Sequence, residues 1–230
     1  MEKQKIVVLT GAGISAESGI KTFRDADGLW EGHDIMEVAS PTGFNKNPAL
    51  VLDFYNQRRR QLNEVHPNEG HKALVRLEKK YDVTIITQNV DNLHERAGSS
   101  KIIHLHGELS KMRGVDYPHK IYDCSGDIAL GDVCQRGSQL RPHIVWFGED
   151  VPMIQTAVEE CYTANILLII GTSMQVYPAA SLIDYVPENT KVYFIDPKPA
   201  VPNNYYRDLT VVTKNGSIGV PEVVNILMNQ

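Results

Sequence analysis

The sequence has few cysteines, no long apolar run and no excess of positive charge. Its three cysteines, Cys124, Cys134 and Cys161, form an odd, scattered set that predicts free thiols rather than a disulfide framework. The formal net charge is −5, so the chain lacks the basic field that nucleic acid or an anionic membrane would attract. The apolar stretch at residues 6–9 is too short for a signal peptide or a membrane span. We therefore expect a cytoplasmic protein that binds neither nucleic acid nor membrane.

Short apolar runs rich in β-branched residues recur along the chain. Several are apolar at every position, which is typical of strands covered on both faces in a parallel sheet. Helical patterns lie between them, and this alternation predicts an α/β fold. The predicted strands are 6–9, 83–87, 102–105, 144–147, 166–170, 192–195 and 209–212, and the predicted helices are 48–64, 68–80, 91–97, 153–163, 179–185 and 221–228.

Two regions interrupt the alternation within a chain whose length, residues 1–230, fits one domain. Residues 25–65 insert helical material after the first predicted turn, and residues 110–141 are polar, rich in glycine and irregular. We expect residues 110–141 to form a small module, with a ligand cleft between the module and the sheet.

The turn after the first predicted strand is rich in glycine and reads GAGISAESGI from residue 11. Gly11 and Gly13 can take backbone angles closed to other residues and let the main chain approach a pyrophosphate, and a helix from Ser15 onward would direct its amide dipoles at that charge. The spacing differs from the dehydrogenase pattern GxGxxG, because Gly19 stands six residues after Gly13 and position 16 is Ala16. The turn predicts a dinucleotide site, with a tight ligand-free connection as the alternative.

Polar residues also follow other predicted strands, where folding alone does not require them. TQNVD begins at residue 87, HLHGE at residue 104 and GTS at residue 171. The carboxyl ends of parallel strands gather along one edge of a sheet, so these groups can converge on one bound molecule.

Six motifs stand in order along the chain: GAGISAESGI, TFRDADGLW, TQNVDNLHERAG, HLHGEL, VWFGE and GTSMQVYP. Together and in this order they resemble the motifs of the sirtuins, which are NAD-dependent protein deacylases. The resemblance implies a Rossmann-like parallel sheet with helices on both faces and a small inserted module. It also implies NAD as cofactor, acylated lysine side chains of proteins as substrates, and nicotinamide and O-acyl-ADP-ribose as products. It leaves the oligomeric state open, a monomer included.

The resemblance assigns catalysis to His106, Asn89 and Asp91. His106 would be the base, because an imidazole with a pKa of about 6.5 can accept a ribose hydroxyl proton near neutral pH. Asn89 and Asp91 also fit ordinary capping and turn positions, and both roles can coexist. We expect His104 to face the opposite way and to be structural. The implied cofactor contacts are Gly11, Ala12, Gly13, Ser15, Thr22, Phe23, Arg24, Gln88, Asn89, Asp91, Gly171, Thr172, Ser173, Asp196 and Ser217.

The resemblance also places an extended peptide between residues 145–149 and 174–176, where it would add as a strand. Phe147 would wall the tunnel for the acyl-lysine. The implied peptide contacts are Val145, Phe147, Gly148 and Val176.

Tyr55 and Arg58 indicate which acyl group is removed. They lie three residues apart on a predicted helix, so they share one face and offer a hydroxyl and a guanidinium to a carboxylate. They match the Tyr-x-x-Arg pair of sirtuins that remove succinyl, malonyl and glutaryl groups. Taken alone, Arg58 also fits a solvated charge run. We expect a preference for acidic acyl groups with weaker deacetylase activity.

The chain departs from the family at the structural zinc site, which two cysteine pairs usually form in the small module. Here Cys124 and Cys134 are the only cysteines in that region, and Gly114 stands where the first pair would begin. His119 alone does not complete a four-coordinate shell. We expect no metal.

Other activities remain as alternatives. A general deacetylase and a mono-ADP-ribosyl transferase would use the same cofactor, and a non-catalytic NAD or ADP-ribose sensor would bind it without turnover. His106 and Asn89 are both present, which argues against the sensor. The altered glycine spacing disfavours a hydride-transfer dehydrogenase.

Overall fold

The computed structural model describes residues 3–21, 29–199 and 208–230. Its strands are β1 (Lys5–Thr10), β2 (Leu29–Trp30), β3 (His33–Asp34), β4 (Asp82–Thr87), β5 (Ile102–His104), β6 (Gly107–Gly114), β7 (Ile121–Asp123), β8 (Leu140–Ile144), β9 (Ile166–Ile170), β10 (Lys191–Ile195) and β11 (Leu209–Val212). Its helices are α1 (Gly13–Ala16), α2 (Ile35–Val38), α3 (Pro41–Lys46), α4 (Pro48–Leu62), α5 (Glu69–Leu77), α6 (Leu93–Ala97), α7 (Ile154–Cys161) and α8 (Gly216–Met228), with a 3₁₀ helix at Ala179–Tyr185.

Six strands form one sheet in the order β11-β10-β9-β1-β4-β5, and every pairing in it is parallel. All five residues of β9 are buried, because side chains on both faces of the sheet pack against helices. Residues of α5 and α8 cover one face, and residues of α7 and the 3₁₀ helix cover the other. The predicted α/β class with helices on both faces is confirmed.

The inserted region begins with the hairpin β2–β3 and continues through α2, α3 and α4. Helix α4 begins with Pro48 at its first turn, where the Asn47 carboxamide oxygen accepts a hydrogen bond from the Leu50 amide. Pro and Asn suit these positions, because proline loses no needed donor there and asparagine satisfies an unpaired amide. This start sets the faces on which Tyr55 and Arg58 lie.

A second, antiparallel sheet has the order β7-β6-β8 and corresponds to the predicted small module. Helix α4 holds it through the buried side chain of Asn56, which donates to the Ile128 carbonyl at 3.0 Å and accepts from the Ile128 amide at 2.9 Å. Arg59 Nε donates to the Leu109 carbonyl at 2.7 Å. Helix α4 therefore anchors the small sheet.

Three element predictions were wrong. Residues 144–147 do not form a strand of the large sheet, because β8 ends at Ile144 and belongs to the antiparallel sheet. The helix expected from Ser15 is one turn long, because the chain reverses at Gly19, whose φ is +102°. The last helix begins at Gly216, five residues before its predicted start, and includes Pro221. In the described ranges, no helix is long and apolar enough to cross a bilayer.

Candidate active site

Two glycine turns pack against each other at the carboxyl edge of the large sheet. The Gly13 amide donates to the Gly171 carbonyl at 2.8 Å. A Cβ atom on Gly13 would lie 2.6 Å from Gly171 Cα, and one on Gly11 would lie 2.8 Å from the Gly171 carbonyl oxygen. Neither Gly11 nor Gly13 has a positive φ, so the expectation of unusual backbone angles was wrong there. Close contact between the two turns is what requires glycine.

Ser15 connects the first turn to the turn after β4. It is fully buried, and its hydroxyl donates to Asp91 Oδ2 at 3.0 Å and accepts from Asn89 Nδ2 at 3.2 Å. Asp91 Oδ1 also accepts from the Leu93 amide at 3.0 Å, so Asp91 makes a capping contact beside its bond to Ser15. Burial raises the pKa of Asp91, and the bonds from Leu93 and Ser15 oppose that rise.

The half-buried His106 follows β5, and its Nδ1 lies 3.0 Å from the Gln88 carbonyl oxygen. A carbonyl only accepts hydrogen bonds, so Nδ1 carries the proton and Nε2 keeps a lone pair in the neutral ring. Burial lowers the pKa of His106, and the bond to Gln88 opposes that effect. Gln88 Nε2 donates to Thr172 Oγ1 at 3.0 Å. The His106 imidazole is therefore neutral, and hydrogen bonds through Gln88 connect it to the turns after β4 and β9.

His104 does not face the opposite way, and that prediction was wrong. Residues two apart on an extended chain share a face, and His104 Nδ1 lies 3.2 Å from the Asn89 carbonyl oxygen, one residue beyond the partner of His106. His104 Nε2 lies 2.6 Å from Glu95 Oε1. Both imidazoles thus contact the same turn.

Among the described residues, one cluster has the composition of a metal site. Potential ligand atoms of Glu95, His104 and Glu108 lie within 4.8 Å of one another. Lys111 Nζ lies 2.8 Å from Glu108 Oε1, so an ammonium group already neutralises that carboxylate.

The zinc-module positions carry other contacts. A Cβ on Gly114 would lie 3.2 Å from Cys134 Sγ, and Ser138 Oγ donates to Asp116 Oδ2 at 2.7 Å nearby. Cys124 is separate, with Sγ 3.4 Å from the Gly126 carbonyl oxygen. That this chain binds no zinc stays a prediction.

On the side predicted for adenosine, Asp196 is buried and its Oδ1 accepts from the Lys198 amide at 2.7 Å. The Ser217 amide donates to Glu17 Oε2 at 2.9 Å. Glu17 lies within the glycine motif GAGISAESGI but was not predicted as a site residue. Three predicted cofactor contacts lie outside the described residues: Thr22, Phe23 and Arg24.

An aromatic cluster surrounds the predicted acyl-binding pair. Tyr55 is fully buried, and its hydroxyl oxygen accepts from Trp146 Nε1 at 3.0 Å. The Trp30 ring packs edge-on against Phe54 and Tyr55, with centroids 4.8 and 6.0 Å apart. Arg58 is half-buried, with its Cζ atom 4.9 Å above the Phe54 ring. Its Nε atom is buried and has no hydrogen-bond partner in the part of the chain that the structure describes.

The aromatic walls Trp30, Phe54 and Trp146 were not predicted individually. Trp30 and Trp146 lie within quoted motifs, but the motif does not show which way a side chain points. In residues 145–147 the side chains alternate, with Trp146 buried and Phe147 exposed.

The predicted peptide edge is only partly available for pairing. The Val145 amide donates to the His106 carbonyl, and the Phe147 amide donates to the Ala39 carbonyl, both at 2.9 Å. The Trp146 amide donates to Glu149 Oε2 at 2.8 Å. These amides already have partners, and the Trp146 carbonyl accepts from the Glu149 amide at 3.0 Å. Among the described residues, this segment can therefore offer a peptide the Val145 and Phe147 carbonyls and the Gly148 amide. On the other side, Val176 is exposed and lies beyond Met174, whose φ is +54°.

The donor set fits a dinucleotide. Hydroxyl, carboxamide and carboxylate groups from turns after β1, β4, β9 and β10 lie along one edge, beside a neutral imidazole, and phosphate, ribose and amide groups are recognised by such donors and acceptors.

The Sir2 family model matches residues 11–178. The chain belongs to the Sir2 family. An NAD-dependent protein deacylase from Helicobacter pylori (strain ATCC 700392 / 26695) is 64% identical over 195 residues, which are 85% of this chain and 85% of the relative. An NAD-dependent protein deacylase from Bacteroides thetaiotaomicron is 54% identical over 231 residues, covering 98% of each chain. The solved structure of a Sir2 homolog–NAD complex has a TM-score of 0.88 at 37% identity, over 99% of this chain and 91% of that one.

The family predicted from the six motifs is therefore confirmed, with its Rossmann-like fold, its cofactor NAD and its activity of protein deacylation at the level of the family. The match to the family does not determine the acyl preference or the roles of single residues.

Proposed function

We propose that this chain is an NAD-dependent protein-lysine deacylase that prefers succinyl, malonyl or glutaryl groups to acetyl groups. The observation that carries the preference is the environment of Arg58. Its side chain lies half-buried over the Phe54 ring, and its buried Nε has no hydrogen-bond partner among the described residues. A buried donor without a partner is costly, and a substrate carboxylate would satisfy it.

Tyr55 supports the same preference from the adjacent turn of α4. Its hydroxyl oxygen accepts from Trp146, so its own proton is available for donation to an acyl carboxylate. Burial raises the pKa of Tyr55, which keeps that proton on the ring. An apolar acetyl group would use neither the hydroxyl nor the guanidinium.

His106 is the proposed catalytic base. When bound, NAD supplies the glycosidic carbon that the acyl-lysine oxygen attacks and nicotinamide as the leaving group. Because the bond to Gln88 holds the proton at Nδ1, Nε2 is the atom that accepts a ribose hydroxyl proton. Asn89 and Asp91, joined through Ser15, are proposed to bind the nicotinamide ribose. Residues 145–149 are the segment proposed to bind the peptide. The Val145 amide donates to the His106 carbonyl, so this segment lies beside the proposed base.

A matched pair of arginine variants tests the acyl preference. Arg58→Met should lower kcat/KM for a succinyl-lysine peptide about 10- to 100-fold, the equivalent of a charge-assisted contact of about 1.5–3 kcal/mol. Turnover of the matching acetyl peptide should change little. Arg60→Met is the control, because Arg60 is exposed on the same helix and pairs with Asp53 and Asp127.

Mass spectrometry of the peptides, with NAD present and absent, gives the rates. Equal loss of both activities in Arg58→Met, with Arg60→Met unaffected, would mean that Arg58 supports the fold rather than the substrate. Acetyl turnover that equals or exceeds succinyl turnover in the unmodified protein would establish the alternative, a general deacetylase. Burial lowers the pKa of Arg58, and the charge of Glu31 opposes that effect. In a general deacetylase, Glu31 would be the internal partner of Arg58.

We propose a cytoplasmic location on separate grounds. All three cysteines are buried and unpaired, which suits a reducing compartment. Burial raises the pKa of the Cys161 thiol to about 12, so it stays protonated. Recovery of the protein from a secreted or periplasmic fraction of its native cell would contradict this location.

A further inference from the structure

The two histidines of the HLH segment have different hydrogen-bond partners. Within the described ranges His106 has one, the Gln88 carbonyl. His104 has two, the Asn89 carbonyl at 3.2 Å from Nδ1 and Glu95 Oε1 at 2.6 Å from Nε2. A carbonyl and a carboxylate both accept hydrogen bonds. A neutral imidazole has one N–H group, so only the imidazolium form of His104 satisfies both contacts.

The Asn89 carbonyl belongs to the turn that carries the proposed catalytic side chains. Asn89 Nδ2 donates to Ser15, and Ser15 donates to Asp91. His104 contacts the main chain of this turn through Nδ1 and is itself held by α6 through Glu95. A shift of the Asn89 main chain would move the carboxamide and the Asp91 carboxylate with it.

We propose that His104, kept as an imidazolium by Glu95, is a positioning residue that fixes Asn89 and Asp91 in the NAD site. The proposal rests on the family's NAD-dependent deacylation and is independent of the acyl preference. The HLH segment would then hold one charged imidazole and one neutral base.

The charges around His104 favour the proton. Glu95 and His94 face it from α6, Glu108 and Lys111 lie near it on β6, and Asp91 lies in the turn. Burial lowers the pKa of His104, but the bond and charge of Glu95, with the charge of Glu108, raise it above its usual value overall. The positive charge in turn lowers the pKa of Asp91 and opposes the effect of its burial.

Glu95→Gln tests the proposal, because it keeps an acceptor beside Nε2 and removes the charge. Losing the carboxylate should lower the pKa of His104 by about one unit. The midpoint of the high-pH limb of kcat/KM should then move to lower pH by the same amount. At pH values above both midpoints, kcat/KM of Glu95→Gln should therefore be about tenfold lower than that of the unmodified protein. Turnover at lower pH, where His104 is protonated in both proteins, should be the same. Glu95→Asp should restore the profile, and Glu159→Gln, an exposed change on α7, is the control.

NMR titration of ¹⁵N-labelled histidine reports the charge of His104 without turnover, with His104→Gln used to assign its signals. We expect both ring nitrogens to be protonated at neutral pH in the unmodified protein. A neutral ring there, or an unchanged pH profile in Glu95→Gln, would overturn the proposal. If chelator abolishes activity and a divalent cation restores it, the cluster of Glu95, His104 and Glu108 is a metal site instead. Measuring acetyl and succinyl peptides in parallel keeps this test separate from the acyl preference.

Discussion

At the scale of single residues, the hydrogen-bond partners of a side chain decide how many protons it carries and on which atoms. His106 and His104 have the same chemistry and lie two positions apart, yet one contacts a carbonyl alone and the other contacts a carbonyl and a carboxylate. The same principle applies to Tyr55, whose oxygen accepts from Trp146 while its proton remains to be donated. Their roles follow from their partners rather than from residue type.

The acid limb of the pH–rate profile should report His106. Burial lowers the pKa of His106, and the base acts in its neutral form. Activity should therefore be lost as pH falls through a midpoint below the ordinary histidine value of about 6.5. The measurement is kcat/KM for an acyl peptide at saturating NAD from about pH 5 to 8. His106→Ala should lose at least about 100-fold, and an acid midpoint above neutrality or an active alanine variant would contradict the assignment.

At the scale of elements, the site is made where turns touch. The turn after β1 contacts the turn after β9 through glycines, and it contacts the turn after β4 through Ser15. Each strand delivers a few polar groups, but only contact between turns sets their spacing.

Gly13→Ala should push apart the turn after β1 and the turn after β9. The added Cβ would lie 2.6 Å from Gly171 Cα, and main-chain atoms cannot rotate away as a flexible side chain would. We expect about 1–3 kcal/mol less stability and about tenfold or greater loss of NAD affinity. Calorimetric titration with NAD and denaturant unfolding give the two quantities. Gly126→Ala is the control, because nothing lies within 4 Å of its Cβ position, and equal effects of both changes would refute the contact argument.

Helices α5 and α6 meet through a buried pair, His71 and His94, whose ring centroids are 4.9 Å apart. Burial lowers the pKa of His71 to about 4 and that of His94 well below its usual value. The folded state therefore favours neutral rings. Stability is complete above the unfolded-state pKa of about 6.5 and should fall as pH drops below it, by up to about 1.4 kcal/mol per pH unit for each histidine.

His71→Gln should remove the part of this pH dependence that belongs to His71. His71 Nδ1 accepts from the Asn68 amide at the start of α5, and glutamine can make the same capping contact. Urea unfolding between about pH 4.5 and 7 should give a shallower loss than in the unmodified protein. His119→Gln, at an exposed position, should leave the slope unchanged, and a full slope in His71→Gln would remove His71 as its source.

At the scale of the whole molecule, the proposed substrate site lies where the small sheet joins the large one. Glu149 accepts from Arg141 Nη1 at 2.6 Å and from Arg113 Nη2 at 3.2 Å, and both arginines are buried. It also accepts from the Trp146 amide, and Arg141 lies over the Trp146 ring. One carboxylate thus ties two strands of the small sheet to the aromatic wall beside Tyr55.

Glu149→Gln should destabilise the protein strongly, because it leaves two buried guanidinium groups without a counter-charge. We expect about 3 kcal/mol, measured as the free energy of unfolding in urea. Glu222→Gln is the matched control: its pair with Lys214 is about half exposed on both sides, and such pairs contribute about 1 kcal/mol or less. Similar effects of the two changes would show that the network does not hold the small sheet to the aromatic wall.

The sequence by itself determined the class of fold, the family and the order in which polar groups follow the strands. Strands such as β9 could be predicted because continuous burial needs continuous apolar sequence, and the six motifs are local patterns. The strand predicted at residues 144–147 was wrong because a continuous apolar run there is not continuously buried. There, Trp146 is buried in the aromatic cluster and Phe147 is exposed, and the Val145 and Phe147 amides bond to the distant carbonyls of His106 and Ala39, which no local pattern records.

Only the tertiary structure decided which atoms of the predicted residues are free. It placed Ser15 inward between Asn89 and Asp91, left Arg58 Nε without a partner, and put Glu95 against His104. The physical reason is that hydrogen bonds and buried charges depend on distances of a few ångströms between residues far apart in the chain. A sequence motif fixes which chemical groups are present, and the packing of turns and sheets fixes their protonation and their partners.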